Sequence, residues 1–112
     1  MSSVFGWKRA KELVFTGDVI DAAEAARIGL VNRVVDAAAL ETTTRALAEK
    51  IAAGPPLALR LDKQMLNRAA STDLASALEV EAFSQGLAIA SEDHAEGVGA
   101  FFDKRPPKFS GR

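Results

Sequence analysis

The end of the chain decides the fold: Ala90-Ser-Glu-Asp-His-Ala-Glu-Gly-Val-Gly-Ala-Phe-Phe-Asp-Lys-Arg-Pro-Pro-Lys-Phe-Ser-Gly-Arg112. The polar cluster Ser91–Asp93 has the side chains that cap a helix N-terminus. The pair Pro106-Pro107 lacks the backbone N–H groups that a helix needs, and proline also disfavours helical backbone in the preceding residue. The sequence therefore predicts a helix that starts at the polar cluster and runs to about Lys104.

Further helices are predicted upstream, because apolar residues recur there at helical spacing. Asp21 and Glu24 match an N-cap with its capping-box partner, and Pro56 suits the first position of a helix. The predicted helices cover about Trp7 to Phe15, Asp21 to Gly29, Asp36 to about Ala53, about Pro56 to Ala70, and a segment capped by Ser71–Asp73 that runs to about Ala90.

One run, Leu30–Val35, has a β-like composition because Val31, Val34 and Val35 are β-branched. A single strand cannot form a sheet, so its pairing partner must come from elsewhere, or the segment is simply extended. The fold class that follows is mostly α, with five to six helices and at most one short strand.

The composition excludes several classes of function. The net charge is −1 with acidic and basic residues interspersed, which gives no electrostatic footprint for nucleic acid or a membrane surface. There is no cysteine, so neither a disulfide framework nor a thiolate metal site is available. No apolar run approaches the roughly 18 residues of a membrane span, and Met1–Phe5 carry no secretory signal pattern. We expect a cytoplasmic protein.

Few side chains suggest catalysis. His94 is the only histidine, and it stands beside carboxylates at a predicted helix start, where a solvated end is favoured over a metal site. Glu79 and Glu81 are two apart on one helix and so do not face each other, which favours structural roles. Gly97 and Gly99 lie within a helical pattern rather than a phosphate loop, and we expect them to permit close approach of another helix or chain.

The order of motifs resembles a known family. The earlier stretch Leu13-Val-Phe-Thr-Gly-Asp-Val-Ile-Asp-Ala-Ala-Glu-Ala-Ala-Arg-Ile-Gly-Leu-Val-Asn-Arg-Val-Val35 and the final stretch together resemble the C-terminal half of the crotonase (enoyl-CoA hydratase/isomerase) family. The resemblance runs from about Gly6 to Arg112. It implies the helical C-terminal region that mediates trimerisation in that family.

The segment Phe101–Phe109 is the best candidate site. Its aromatic rings and basic residues can stack on adenine and pair with phosphates, whereas the competing interpretation is a capped amphipathic helix with a buried Phe and a solvated basic tail. The resemblance implies that the segment lines a coenzyme A (CoA) pocket, with Lys104 as the phosphate partner and Phe101 or Phe102 on the adenine side. Gln85 stands where the family often has an aromatic residue.

The resemblance also implies that the oxyanion hole and the catalytic carboxylates lie upstream, so we expect no catalytic residue and no metal ligand here. We expect residues 1–112 to be a single C-terminal segment that acts on acyl-CoA thioesters in fatty-acid metabolism as part of a larger enzyme. It would supply oligomerisation and part of the CoA pocket, need no cofactor beyond the CoA thioester substrate, and be inactive alone. The alternative is a non-catalytic helical self-association or interaction module. The expected partner is a second copy, in a trimer-type assembly or a helix-exchanged dimer.

Overall fold

The computed structural model describes residues 6–112, which divide into two compact units, residues 6–44 and 45–112. The described residues form six α-helices and no strand. The helices are α1 (Trp7–Thr16), α2 (Ala22–Arg27), α3 (Leu40–Ala52, preceded by a 3₁₀ turn at Ala37–Ala39), α4 (Pro56–Arg68), α5 (Leu74–Ile89) and α6 (Glu92–Phe102). The mostly helical fold class is confirmed. The interpretation of Met1–Phe5 lies outside the described residues.

Local capping signals place the helix ends. The side chains of Asp21, Asp73 and Ser91 accept hydrogen bonds from the backbone N–H of Glu24, Ser76 and His94, which satisfies donors that a helix start leaves unpaired. These three N-caps agree with the sequence-based prediction. α1 ends at Gly17, whose left-handed backbone (φ 69°) costs a glycine little.

The β-like run Leu30–Val35 forms no strand among the described residues, which agrees with the expectation of at most one short strand. The backbone N–H groups of Leu30 and Val31 instead donate to the carbonyl of Ala25 and close the end of α2. β-branched residues favour a strand only when a neighbouring strand accepts the ladder bonds, and none is available here. The segment is irregular, and Val34 is half exposed.

In the first unit, an ionic network joins α1 to α2. The Glu24 carboxylate accepts hydrogen bonds from Arg9 on α1 and, at 2.6 and 2.7 Å, from Arg27 one turn along α2. Arg9 also pairs with Glu12 at 2.7 Å. Glu24 is therefore not the reciprocal half of a capping box, as the sequence suggested, because its side chain serves the two arginines.

In the second unit, α5 packs against both α4 and α6. The buried apolar residues of the described chain are small: Ala10, Ala25 and Ala100. Large apolar side chains stay exposed on the helices of this unit, Phe83 on α5 and Leu66 on α4 among them. None of the helices in residues 6–112 is long and apolar enough to cross a membrane.

We predict that Glu24→Gln lowers the stability of the chain at neutral pH and flattens its pH dependence between about pH 4.5 and 2. Hydrogen bonds from Arg27 and Arg9 lower the pKa of Glu24 from 4.5 to about 2. The carboxylate therefore stabilises the fold fully above pH 4.5, and that contribution is lost as the pH falls toward 2. Urea unfolding at a series of pH values measures the free energy of unfolding of both proteins.

The matched control is Glu49→Gln, which removes the same charge from an exposed position on α3. An unchanged pH profile in Glu24→Gln, or an equal change in Glu49→Gln, would contradict the role assigned to the α1–α2 network.

Candidate functional site

A cavity of about 400 Å³ in the second unit lies where the start of α4, the end of α5 and α6 meet. Its walls are largely apolar, with polar groups contributed by the start of α6. The lining residues are Pro55, Leu57, Ala58, Ala88, Ser91, Asp93, His94, Gly97, Val98, Phe101, Phe102 and Phe109. An apolar cavity with a few polar groups is the usual form of a small-molecule site.

Two of the three predicted CoA-binding residues line this cavity. Phe101 and Phe102 stand edge to face, with ring centroids 5.7 Å apart and an interplanar angle of 78°. They are 79% and 75% exposed, so the competing expectation of a ring buried within this helix is wrong for both. Exposed rings at a cavity offer flat faces on which a heteroaromatic base can stack.

The third predicted residue, Lys104, lies in the turn that ends α6. Its N–H donates to the carbonyl of Phe101 (3.3 Å), and the N–H of Arg105 donates to the carbonyl of Ala100 (3.1 Å). These two bonds define a Schellman motif with Lys104 in the left-handed position, at φ 53°. A non-glycine residue there costs about 1–2 kcal/mol. Lys104 is exposed, and among the described residues nothing pairs with its ammonium group.

After this turn, the C-terminal tail (residues 103–112) folds back along α6. Glu96 accepts two hydrogen bonds from the Arg105 guanidinium, at 2.6 and 2.9 Å, and one from the backbone N–H of Lys108 at 2.8 Å. Asp93 is 3% exposed and accepts from the backbone N–H groups of Ser110 (2.6 Å) and Gly111 (2.9 Å). Two carboxylates one turn apart on α6 therefore hold the tail, and we call this pair the tail clamp.

The arginine shapes the electrostatics of the tail clamp. Hydrogen bonds from Arg105 and from the Lys108 N–H lower the pKa of Glu96 from 4.5 to about 2. The same carboxylate raises the pKa of Arg105 further above its ordinary value. A bidentate arginine–carboxylate pair fixes orientation as well as distance.

Gly97 and Gly99 on α6 face the tail at ordinary van der Waals distances. A Cβ at Gly97 would lie 3.6 Å from the Phe109 ring, and one at Gly99 would lie 3.9 Å from the Arg105 guanidinium. Within the described chain, the group that approaches this helix face is the tail, and the expected approach of another helix or chain stays a prediction. Phe109 covers the face beside the cavity, and it is half-buried.

The remaining candidates lie apart from one another. His94 lines the cavity but is exposed, and residues 6–112 contain no cluster of three or more His, Cys, Asp or Glu that could hold a metal ion. Glu79 and Glu81 are exposed on α5, and Gln85 does not line the cavity. Glu81 instead borders a second groove of about 360 Å³ between α4 and α5, whose walls include Met65 and Val80.

Comparison with known proteins places the chain in a family. A sequence profile described as enoyl-CoA hydratase/isomerase matches residues 2–112. The chain belongs to the enoyl-CoA hydratase/isomerase family. The match spans both motif-bearing stretches quoted above, and it confirms the resemblance to the crotonase family.

Individual members of the enoyl-CoA hydratase/isomerase family are similar along nearly the whole chain. A short-chain-enoyl-CoA hydratase from Clostridium acetobutylicum is 40% identical over 105 residues, which is 94% of this chain and 40% of that protein. A crotonyl-CoA hydratase from Syntrophomonas wolfei is 43% identical over 100 residues, covering 89% and 38% of the two chains. The crystal structure of an enoyl-CoA hydratase from Bacillus anthracis superposes with a TM-score of 0.94 at 39% identity, covering 99% and 43%.

The chain thus spans about two fifths of the length of these family relatives. Its helical fold is consistent with the helical C-terminal region of the crotonase fold. The tail clamp was not predicted from the sequence, where Glu92, Asp93 and Glu96 were interpreted together as a solvated helix start. The available signal was the pair of prolines, which cannot continue the helix and leave the N–H groups of later residues as the next donors.

We predict that the Glu96 carboxyl carbon titrates with a midpoint near pH 2 in this family member, as followed by NMR. Arg105→Ala should move the midpoint upward toward 4.5, because the hydrogen bonds that stabilise the charged carboxylate are lost. The stability contributed by this pair is complete above pH 4.5 and is lost as the pH falls toward 2. Arg60→Ala, which removes a cation from α4, is the control; a midpoint that stays the same in Arg105→Ala would contradict the pairing.

Proposed function

We propose that this chain is the C-terminal segment of an enzyme of the enoyl-CoA hydratase/isomerase family, acting on acyl-CoA thioesters in fatty-acid metabolism. In this proposal, residues 1–112 form a single segment that supplies part of the CoA pocket and a helical surface for homo-oligomer formation. The CoA thioester is the substrate, and no further cofactor takes part. The names of the relatives from C. acetobutylicum and S. wolfei support the substrate class.

The observation that carries the CoA role is the arrangement at the end of α6. Two exposed phenylalanine rings line a cavity, and an exposed cation without a partner among the described residues follows them after one turn. Adenine offers a flat π-face for Phe101 or Phe102, and the phosphates of CoA offer anionic oxygens for Lys104. This geometry supports the division of roles that the family resemblance implies.

We further infer that the 112-residue polypeptide needs the remainder of a hydratase-length protein for turnover. The support is its coverage of 40% of the C. acetobutylicum enzyme's length. Preorganised donors at the thioester oxygen carry much of such catalysis, and removing one typically costs about 10²–10³ in rate. In the described residues, the cavity brings together aromatic rings and His94 but no pair of facing carboxylates.

A second candidate function is a non-catalytic helical self-association module. The observation that favours it is the exposure of large apolar side chains along α5, including Leu78, Phe83 and Leu87, which is typical of surfaces that bind another chain. Both functions use such a surface, so CoA binding decides between them.

We predict that CoA binds the chain saturably and that Lys104→Ala weakens binding about tenfold, since a charge-assisted hydrogen bond is worth about 1.5–3 kcal/mol before screening. Isothermal titration calorimetry measures the dissociation constant, and the difference should shrink at high salt. Lys63→Ala, on the exposed face of α4, is the charge-matched control and should leave the affinity unchanged.

Crotonyl-CoA added to the same samples tests turnover, followed by loss of the conjugated thioester. We expect the background rate with this chain alone. Hydration above background would overturn the inferred need for the rest of the enzyme. Self-association with no CoA binding would favour the interaction module, and an effect of Lys63→Ala equal to that of Lys104→Ala would refute the assigned phosphate contact.

We also predict that the chain self-associates, because Phe83 is 70% exposed and its burial against another copy would stabilise the assembly. Sedimentation velocity at increasing protein concentration should show a shift to larger species, and Phe83→Ser should reduce it. Val19→Ser, at a 98% exposed position in the first unit, is the control. A species that stays monomeric at all concentrations would contradict the oligomerisation proposal.

A further inference from the structure

Lys104 occupies a backbone position that the rest of the chain gives to glycine. α2 ends in the same Schellman motif, with Gly29 N–H donating to Ala26 O (3.0 Å) and Leu30 N–H donating to Ala25 O (2.8 Å). Gly29 there has φ 78°, and Gly17 at the end of α1 has φ 69°. Lys104 is the one non-glycine residue with positive φ among those the structure describes.

A lysine in this position needs support from outside the turn. Non-glycine residues persist in the left-handed region when the surroundings hold them there, and such positions concentrate at functional sites. An exposed turn with a free tail would let Lys104 return to an ordinary backbone conformation. The tail that follows Lys104 is therefore the element that determines whether the strained turn survives.

Glu96 fixes the tail immediately after the turn. Its two oxygens receive the guanidinium of Arg105, the residue next to Lys104, and Oε1 also receives the N–H of Lys108 beyond the prolines. The backbone N–H of the same Arg105 also donates the Schellman hydrogen bond to the Ala100 carbonyl. Arg105 is thus held by its backbone and by its side chain, and the φ of Lys104 is constrained from the C-terminal side.

Asp93 fixes the far end of the tail. Its carboxylate accepts hydrogen bonds from the N–H groups of Ser110 and Gly111, and its own N–H donates to the carbonyl of Arg112 at 3.1 Å. A carboxylate that is 3% exposed loses much of its hydration, so these donors are needed to stabilise it. The two ends of the tail are anchored to one rigid helix, which carries Phe101 and Phe102 as well.

We propose that Asp93 and Glu96 are positioning residues, which fold the tail onto α6 and thereby hold Lys104 in the left-handed turn that presents its ammonium group to the CoA phosphates. This rests on the proposed function, because Lys104 is taken as the phosphate contact. Both carboxylates accept hydrogen bonds from the tail. Their role is to order Lys104 before CoA binds, so that Lys104 loses less conformational entropy on binding.

A double-mutant cycle on CoA affinity tests the proposal. Lys104→Ala should weaken binding about tenfold in the unmodified chain and less than about twofold in the Glu96→Gln background, because an unclamped Lys104 contributes little. Arg105→Ala breaks the same pair from the other side and should give the same result. Glu79→Gln, on the exposed surface of α5, is the charge-matched control and should keep the tenfold effect.

A merely structural role would give a different pattern. It would lower the stability of Glu96→Gln but leave the Lys104→Ala effect at about tenfold, and this result would overturn the positioning role while the proposed CoA function stands. Loss of the Lys104→Ala effect in the unmodified chain, or no CoA binding at all, would overturn both. The two failures are therefore distinguishable.

Amide hydrogen exchange without ligand gives the second readout. In Glu96→Gln and Asp93→Asn, the amides of Lys108, Ser110 and Gly111 should exchange faster, while those in the middle of α5 stay protected. Lys104→Gly should melt at a higher temperature than Lys104→Ala, because only glycine adopts φ 53° without strain. Unchanged tail exchange in both carboxylate variants, or equal melting temperatures for the two Lys104 variants, would contradict the proposal.

Discussion

The hydrogen bonds that the tail clamp receives from the C-terminal tail organise the second unit. Pro106 and Pro107 have no N–H to donate, so the first donors after the turn are the N–H groups of Lys108 and the residues beyond it. Glu96 takes the first of these donors, and Asp93, one turn earlier on α6, takes the pair at Ser110 and Gly111. The tail therefore runs antiparallel to the helix, and Phe109 comes to lie against Gly97 beside the cavity.

This constraint matters because no large apolar side chain is buried in residues 6–112. The buried apolar residues among those described are three alanines, and each contributes far less than the 1.5–3 kcal/mol of a fully buried Leu or Phe. Polar interactions with defined directions replace bulk burial at both ends of the chain. Glu24 joins α1 to α2 through Arg9, and Glu96 joins α6 to its tail through Arg105. Large apolar side chains on α4 and α5 remain exposed.

The parts of this structure that the sequence predicted are those that depend on neighbours within four residues. Helix extents and the caps at Asp21, Asp73 and Ser91 follow from local backbone chemistry, and they agree with the structure. Whether Leu30–Val35 would be a strand or an extended segment stayed open, because β-propensity presupposes a partner strand that no local pattern can supply. The tail clamp was missed for a related reason, since Asp93 and Ser110 are 17 positions apart and their pairing depends on the path between them.

The end of α6 shows how local preference and function diverge. Gly17 and Gly29 end α1 and α2 in the left-handed region, where glycine is the residue with least strain, and the corresponding position of α6 holds Lys104. A glycine at this position would strain the turn less but would carry no charge. The presence of a lysine therefore indicates either a role for its ammonium group or a turn that other contacts stabilise. The tail clamp supplies the second condition, and the exposed Phe rings on the same helix suggest the first. Lys104 opposes its local backbone preference, and the tail that follows it is held by two carboxylates of α6, which is the arrangement on which the proposed positioning role rests.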